Sequence, residues 1–234
     1  MSSASAKTYL VTGASRGIGL ELVKQLSVLP NTMVYAAMRK PFAISSPNNN
    51  IISIQLDQSS TSSVVAAAAQ VPELDTLILN AAIGENEHLL DMTPERFAEY
   101  LDVNVVGPNR VVSALVPALL ARKTRKIVYL SSSAGTISGQ IGETWGLQGP
   151  YAVSKAAGNM MVVQWHNELS KREDGPSTVV TVHPGWVDTD MGRPFGEGSM
   201  NVVDAVEALV RLVQGLRTED SARFLDWRGR GMAW

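Results

Sequence analysis

Tyr151 and Lys155 stand four residues apart in a stretch that reads as a long helix, so a phenol and an ammonium share one face. An ammonium beside a phenol favours the phenolate, which brings a tyrosine within reach of acid–base chemistry near neutral pH. The same spacing also arises by chance on a helix surface. A second chemical signal is the run Tyr9-Leu10-Val11-Thr12-Gly13-Ala14-Ser15-Arg16-Gly17-Ile18-Gly19-Leu20. A short apolar strand breaks there at Gly13, and an amphipathic helix begins near Gly17 with Ile18, Leu22, Val23 and Leu26 on one face. Three glycines at such a turn let backbone approach a pyrophosphate, beneath a helix N-terminus whose free N–H groups favour an anion. Gly13-Ala14-Ser15-Arg16-Gly17 also satisfies G-x-S-x-G, the nucleophile elbow of serine hydrolases. Dinucleotide binding, hydrolysis and a ligand-free turn all stay open on these residues alone.

The elements that must position these groups follow from periodicity. Strands are expected over 9–11, 32–38, 51–56, 74–79, 126–130 and 177–182, with a short seventh over 222–226. Helices are expected from 17 to the break at Pro30, over 60–70, 151–169 and 202–216. Another helix starts with Thr93 as N-cap and Pro94 at its first position, and continues through Asn104 towards Leu115. Apolar strands alternating with helices describe an α/β chain: one doubly wound Rossmann-type domain over 1–234, with a mostly parallel, seven-stranded sheet. Residues 1–6 are expected to form a flexible tail. In such a sheet ligands bind beyond the carboxyl ends of the strands. The polar and glycine-rich signals fall there: 13–19, Arg39, Asp57, 80–84, 131–135 and 184–189.

Bulk properties narrow the classes. A chain of 234 residues, 45% hydrophobic, can bury one substantial core. A formal net charge of -2 gives no footprint for nucleic acid, and no Lys/Arg run exceeds two residues, which argues against a membrane anchor. There are no cysteines, so disulfides and thiolate chemistry are excluded. His88, His166 and His183 are scattered without metal-ligand spacing and read as surface or packing residues, so no metal is expected. The N-terminal stretch is too short for a signal peptide and no apolar run approaches membrane-spanning length, so a cytoplasmic setting is expected.

Taken together, Thr12-Gly13-Ala14-Ser15-Arg16-Gly17-Ile18-Gly19, Asn80-Ala81-Ala82-Ile83-Gly84, Asn104-Val105-Val106-Gly107, Ser131-Ser132-Ser133-Ala134-Gly135, Tyr151-Ala152-Val153-Ser154-Lys155 and Pro184-Gly185 resemble the short-chain dehydrogenase/reductase family in order and spacing. The resemblance covers nearly the whole chain. His183-Pro184-Gly185-Trp186-Val187-Asp188-Thr189 is similar to the compact carbonyl-reductase and ketoreductase branch. The resemblance implies NADPH-dependent reduction of a ketone or aldehyde, or the reverse. Tyr151 would be the general acid, and Lys155 would hold the ribose hydroxyls and lower the Tyr151 pKa. Asn104 would hold a water linking Lys155 to solvent. A serine would hydrogen-bond the substrate oxygen. Ser132 matches by its distance from the strand and Ser138 by its distance from Tyr151; Ser132 is preferred, because the sheet fixes strand ends while loops absorb insertions.

By the same resemblance the cofactor would meet Gly13, Ser15, Arg16, Ile18, Gly19, Arg39, Asp57, Asn80, Ala81, Tyr151, Lys155, Pro184, Val187 and Thr189. Asp57 would face the adenine and Thr189 the carboxamide, while Asn80 would brace the sheet. Its segment departs from the more usual Asn-Asn-Ala-Gly, which bears on packing more than on chemistry. The second strand ends Ala36-Ala37-Met38-Arg39, with Lys40 next and no acidic residue to hold a free ribose diol, so NADPH is expected over NADH. Trp145, Trp186, Met191, Phe195 and Met200 lie in the loops expected to form the pocket, which suggests a hydrophobic or aromatic carbonyl substrate. A homodimer or homotetramer is implied. A nucleotide-binding protein with little turnover is an alternative. The hydrolase alternative weakens, because its match follows the first strand, with no earlier strands to build a central elbow.

Overall fold

The computed structural model describes residues 6–144, 146–173, 175–193 and 199–234. The first apolar run becomes β1 (Lys7–Thr12), buried at every position after Lys7. It takes an interior place in the sheet because it can be covered on both faces. β2 (Thr32–Met38), β3 (Ile51–Gln55), β4 (Thr76–Leu79), β5 (Lys126–Leu130), β6 (Thr178–His183) and β7 (Phe224–Asp226) complete seven strands in the order β3-β2-β1-β4-β5-β6-β7. Every pairing is parallel. The chain builds outward from β1 to β3, then returns to add β4 on the other side, so the crevice between the β1 and β4 ends is a topological switch point.

Among the described residues, five helices cover the two faces. α1 (Gly17–Ser27) and α6 (Val202–Gly215) share one. There Leu22, Val23 and Leu26 meet Val206, Leu209, Val210 and Val213, each spaced to form one helical stripe. Burying each such side chain contributes about 1.5–3 kcal/mol. α2 (Thr61–Ala68), α4 (Gly107–Leu120) and α5 (Gly149–Ser170) cover the other face through Val64, Val111, Leu115, Val162 and Trp165. The expected tail lies outside the described residues except for Ala6, whose carbonyl accepts a hydrogen bond from Arg122.

As expected, the helix that starts at Pro94 continues through Asn104 and past Leu115; within it a π-turn over Asp102–Val106, which holds Asn104, joins α3 (Pro94–Leu101) to α4. Pro108 supplies the reason. It has no N–H to give the carbonyl of Asn104 four residues back, so the α-helical ladder is broken there. The 27-residue run Pro94–Leu120 is also long and apolar enough to cross a membrane, contrary to the expectation from the sequence. Its apolar stripe is spent on the core, through Val111, Val112, Leu115 and Leu119.

Candidate active site

The glycine turn after β1 is shaped by what its glycines leave room for. A Cβ on Gly19 would lie 2.3 Å from the Gly13 carbonyl oxygen and 2.5 Å from the Asn80 amide nitrogen. That amide donates to the carbonyls of Thr12 (2.9 Å) and Gly13 (3.2 Å), so Asn80 ties β4 to the turn. Gly13 and Gly17 have φ of 67° and 54°, the left-handed region that favours glycine. α1 then starts with no side chain capping its first N–H groups and no acidic residue in its first turn. An uncapped, uncompensated helix N-terminus opening into a cleft suits a phosphate.

The cleft has a volume of about 660 Å³ and runs along the carboxyl ends of the strands. Gly13, Ser15, Arg16, Ile18, Arg39, Asp57, Asn80, Ala81, Ser132, Tyr151, Lys155, Pro184, Val187 and Thr189 all line it. Gly19 and Asn104 do not: both are buried behind its wall. Ser138 sits at the start of a 3-10 turn outside the lining, whereas the Ser132 hydroxyl is hydrogen-bonded to that of Tyr151. Ser132 also accepts from the Ala134 N–H at 3.2 Å, which fixes its rotamer at the mouth of β5.

Burial governs the titration of this end. Tyr151 is pushed up to about 12 by burial, with the Ser132 hydrogen bond pulling partly back. Lys155 is pushed down to about 7 by the same cause. Desolvation, rather than any effect of Lys155, dominates the Tyr151 phenol. Lys155 donates to the Leu130 carbonyl at 2.7 Å, leaving two N–H donors for other partners.

Asn104 acts through side chain and backbone alike. Its amide accepts from the Ile83 N–H (2.9 Å) and donates to the Ile83 carbonyl (2.8 Å) and to Ser154 (3.0 Å). It thus fastens the segment after β4 to α5 between Tyr151 and Lys155. Gly84, next along, lies against the Tyr151 ring, with 2.8 Å between an added Cβ and a ring carbon.

Several contributors escape a reading of the sequence. His183 Nδ1 accepts from the Ser133 N–H at 3.2 Å, bracing the turn that carries Ser132; burial pushes the imidazole down to about 4, so it stays neutral. Gln58, buried beside Asp57, donates to the carbonyls of Ala81 (3.1 Å) and Val103 (2.6 Å). Tyr100 packs with Tyr151 and Ala134 and donates to Glu87 at 2.5 Å, while Arg96 pairs with Glu85, Glu87 and Glu99. The only signals in the sequence were small ones: a glutamine after a strand-end aspartate, and a histidine just before Pro-Gly.

At the open end, Arg39 is exposed and Arg16 is ion-paired with Asp190 at 2.5 Å. Asp57 Oδ1 accepts from the Ser59 N–H, and the Thr189 hydroxyl accepts from the Gly192 N–H, so both also serve their own loops. Ser15 is exposed, and among the described residues no histidine is hydrogen-bonded to it, which leaves the hydrolase reading without a base. Of the residues expected around the substrate, Trp186 and Met191 line the cleft, joined by Leu147 and Met232. Met200 packs behind Gly185, and Trp145 and Phe195 lie outside the described residues.

Comparison with known proteins agrees with this geometry. The short chain dehydrogenase family profile matches residues 7–199. An uncharacterized oxidoreductase of Schizosaccharomyces pombe is 32% identical, the match covering 95% of this chain and 96% of that protein. The C-signal protein of Myxococcus xanthus is 36% identical, over 69% of this chain and 93% of its own. The NADPH-bound carbonyl reductase from chicken fatty liver superposes with a TM-score of 0.90 at 30% identity, covering 99% of this chain and 100% of that one.

Proposed function

The chain belongs to the short-chain dehydrogenase family, and from that premise we propose that it interconverts a ketone or aldehyde and its alcohol, using NADPH with Tyr151 as proton donor. The observation that carries this reading is the joining of Ser132, Tyr151 and Lys155 in a buried floor beside an uncapped helix N-terminus. The bound dinucleotide supplies the hydride. The two hydroxyls of Ser132 and Tyr151 offer a carbonyl oxygen a pair of hydrogen bonds, strongest when charge develops on it. Burial keeps the Tyr151 phenol protonated at neutral pH, so it holds the proton that the new alkoxide needs. Lys155 has two donors free for ribose hydroxyls. The first turn of α1 suits the pyrophosphate, Arg16 and Arg39 the 2′-phosphate, and Asp57 and Thr189 the adenine and carboxamide.

The NADPH bound by the chicken carbonyl reductase supports the same cofactor here, as does the absence of an acidic residue directly after β2. Leu147, Trp186, Met191 and Met232 favour a hydrophobic substituent on the substrate. NADPH oxidation across aldehydes, aliphatic ketones and aryl ketones, beside an ester-hydrolysis assay on the same preparation, tests this. Turnover of carbonyls, with the highest kcat/KM for bulky apolar ones, is expected. Esterase activity without reductase activity would overturn the assignment.

A further inference from the structure

Lys155 is a buried ammonium, pushed down to about 7 by desolvation, and among the described residues it forms no ion pair. What faces it is aromatic. Its Nζ lies 4.9 Å from the centroid of the Tyr129 ring and 5.5 Å from that of Tyr151. The second contact comes with the helical spacing of Tyr151 and Lys155. The first has to be built from another element, and three positions agree in building it.

Tyr129 is buried in β5, with its hydroxyl pressed against α5. A Cβ on residue 158 would stand 2.3 Å from that hydroxyl, so Gly158 is what makes room for the phenol. The hydroxyl then donates to the backbone carbonyl of Asn104 at 3.1 Å. Pro108, four residues on from Asn104, has no N–H to offer that carbonyl.

We propose that Tyr129 is a positioning residue of the catalytic centre, its ring face bearing the Lys155 ammonium and its hydroxyl fastening the Asn104 turn to β5. The proposal rests on the reading of Tyr151 and Lys155 as the acid–base pair. The negative face of an aromatic ring favours a nearby cation, most strongly where water is excluded. The groups packed around Lys155 carry no charge that could take this role. Tyr151 on its own helix and Tyr129 on β5 are both pushed up by burial and stay neutral. Gly135 of the following turn contributes only backbone and packing, and His183 in the same cleft is held neutral.

The test replaces Tyr129 with phenylalanine and then with difluoro- and trifluorophenylalanine, which keep the shape and weaken the ring face stepwise. Lys155 is followed by carbon-13 NMR of the lysine ε-carbons, its signal assigned by its loss in Lys155→Met. Expected is a titration in Tyr129→Phe close to the parent's, falling by about one pH unit across the fluorinated series. The basic limb of the reduction pH profile should fall with it, since the protonated lysine is then lost at lower pH. A titration that ignores fluorination would overturn the role of the ring. For the hydroxyl, Tyr129→Phe should speed amide hydrogen exchange around Asn104 by about five- to tenfold, and unchanged exchange would overturn that half. Titration and exchange are read without turnover, so a failure of the reductase assignment is seen separately, as an absence of NADPH oxidation by the parent.

Discussion

The two ends of the cleft handle charge in opposite ways. At the floor, Lys155 and Tyr151 are almost fully buried, and desolvation sends one down to about 7 and the other up to about 12. At the mouth, the Arg16 and Asp190 side chains stay 74% and 60% exposed, and water screens whatever they do. The same kind of polar contact is therefore worth much more at one end than at the other. Catalytic groups belong where packing sets their protonation. Groups that choose between cofactors can sit in solvent, because they need only the right sign and shape.

Substitutions should reproduce that gradient. The largest effect is expected for Tyr151→Phe, which removes the proposed proton donor from the buried floor. Turnover should fall by about a thousandfold or more, while the NADPH dissociation constant stays near the parental value. Near-parental turnover would break the comparison outright. Next comes Ser132→Ala, expected to cost about a hundredfold in kcat, or about 3 kcal/mol of stabilisation of the developing oxyanion. Ser138→Ala should cost less than about twofold, as this serine lies outside the lining. If Ser138→Ala is the more damaging change, the floor has been assigned to the wrong serine.

Smaller effects belong to the mouth. Arg39→Ala should weaken NADPH by about tenfold, the low end for a charge-assisted hydrogen bond, because the side chain is solvated. NADH should be nearly unaffected, and the difference should shrink as salt rises. Equal loss for both cofactors would place Arg39 outside the 2′-phosphate site. Smallest of all is Asp190→Asn. Releasing Arg16 from an exposed ion pair should improve NADPH affinity by no more than about fivefold. A larger gain, or a gain for NADH as well, would mean that the Arg16–Asp190 pair closes the cleft rather than merely competing for one cation.

The architecture was legible because it is written in local patterns. The continuous apolar runs of β1, β2 and β5 and the stripe of Val206, Leu209, Val210 and Val213 needed no knowledge of their partners. The glycine turn and the spacing of Tyr151 and Lys155 were equally local, but spacing alone left their chemistry open, and only the family resemblance implied it. The helix through Asn104 was legible too, but not the π-turn inside it. Helical periodicity continues across the π-turn, and only the missing N–H of Pro108 marks the break.

What the sequence by itself determined is thus the order of strands and helices, the groups at the strand ends and their chemical types. Periodicity and turn chemistry depend on neighbours a few residues apart. Tertiary structure alone decided that Arg16 pairs with Asp190, and that burial sets the Tyr151 phenol high and the Lys155 ammonium low. It also decided that the Tyr129 phenol finds the Asn104 carbonyl, 25 residues away along the chain. Burial and such meetings are properties of packed elements, in which a group's energy depends on how much water its neighbours displace.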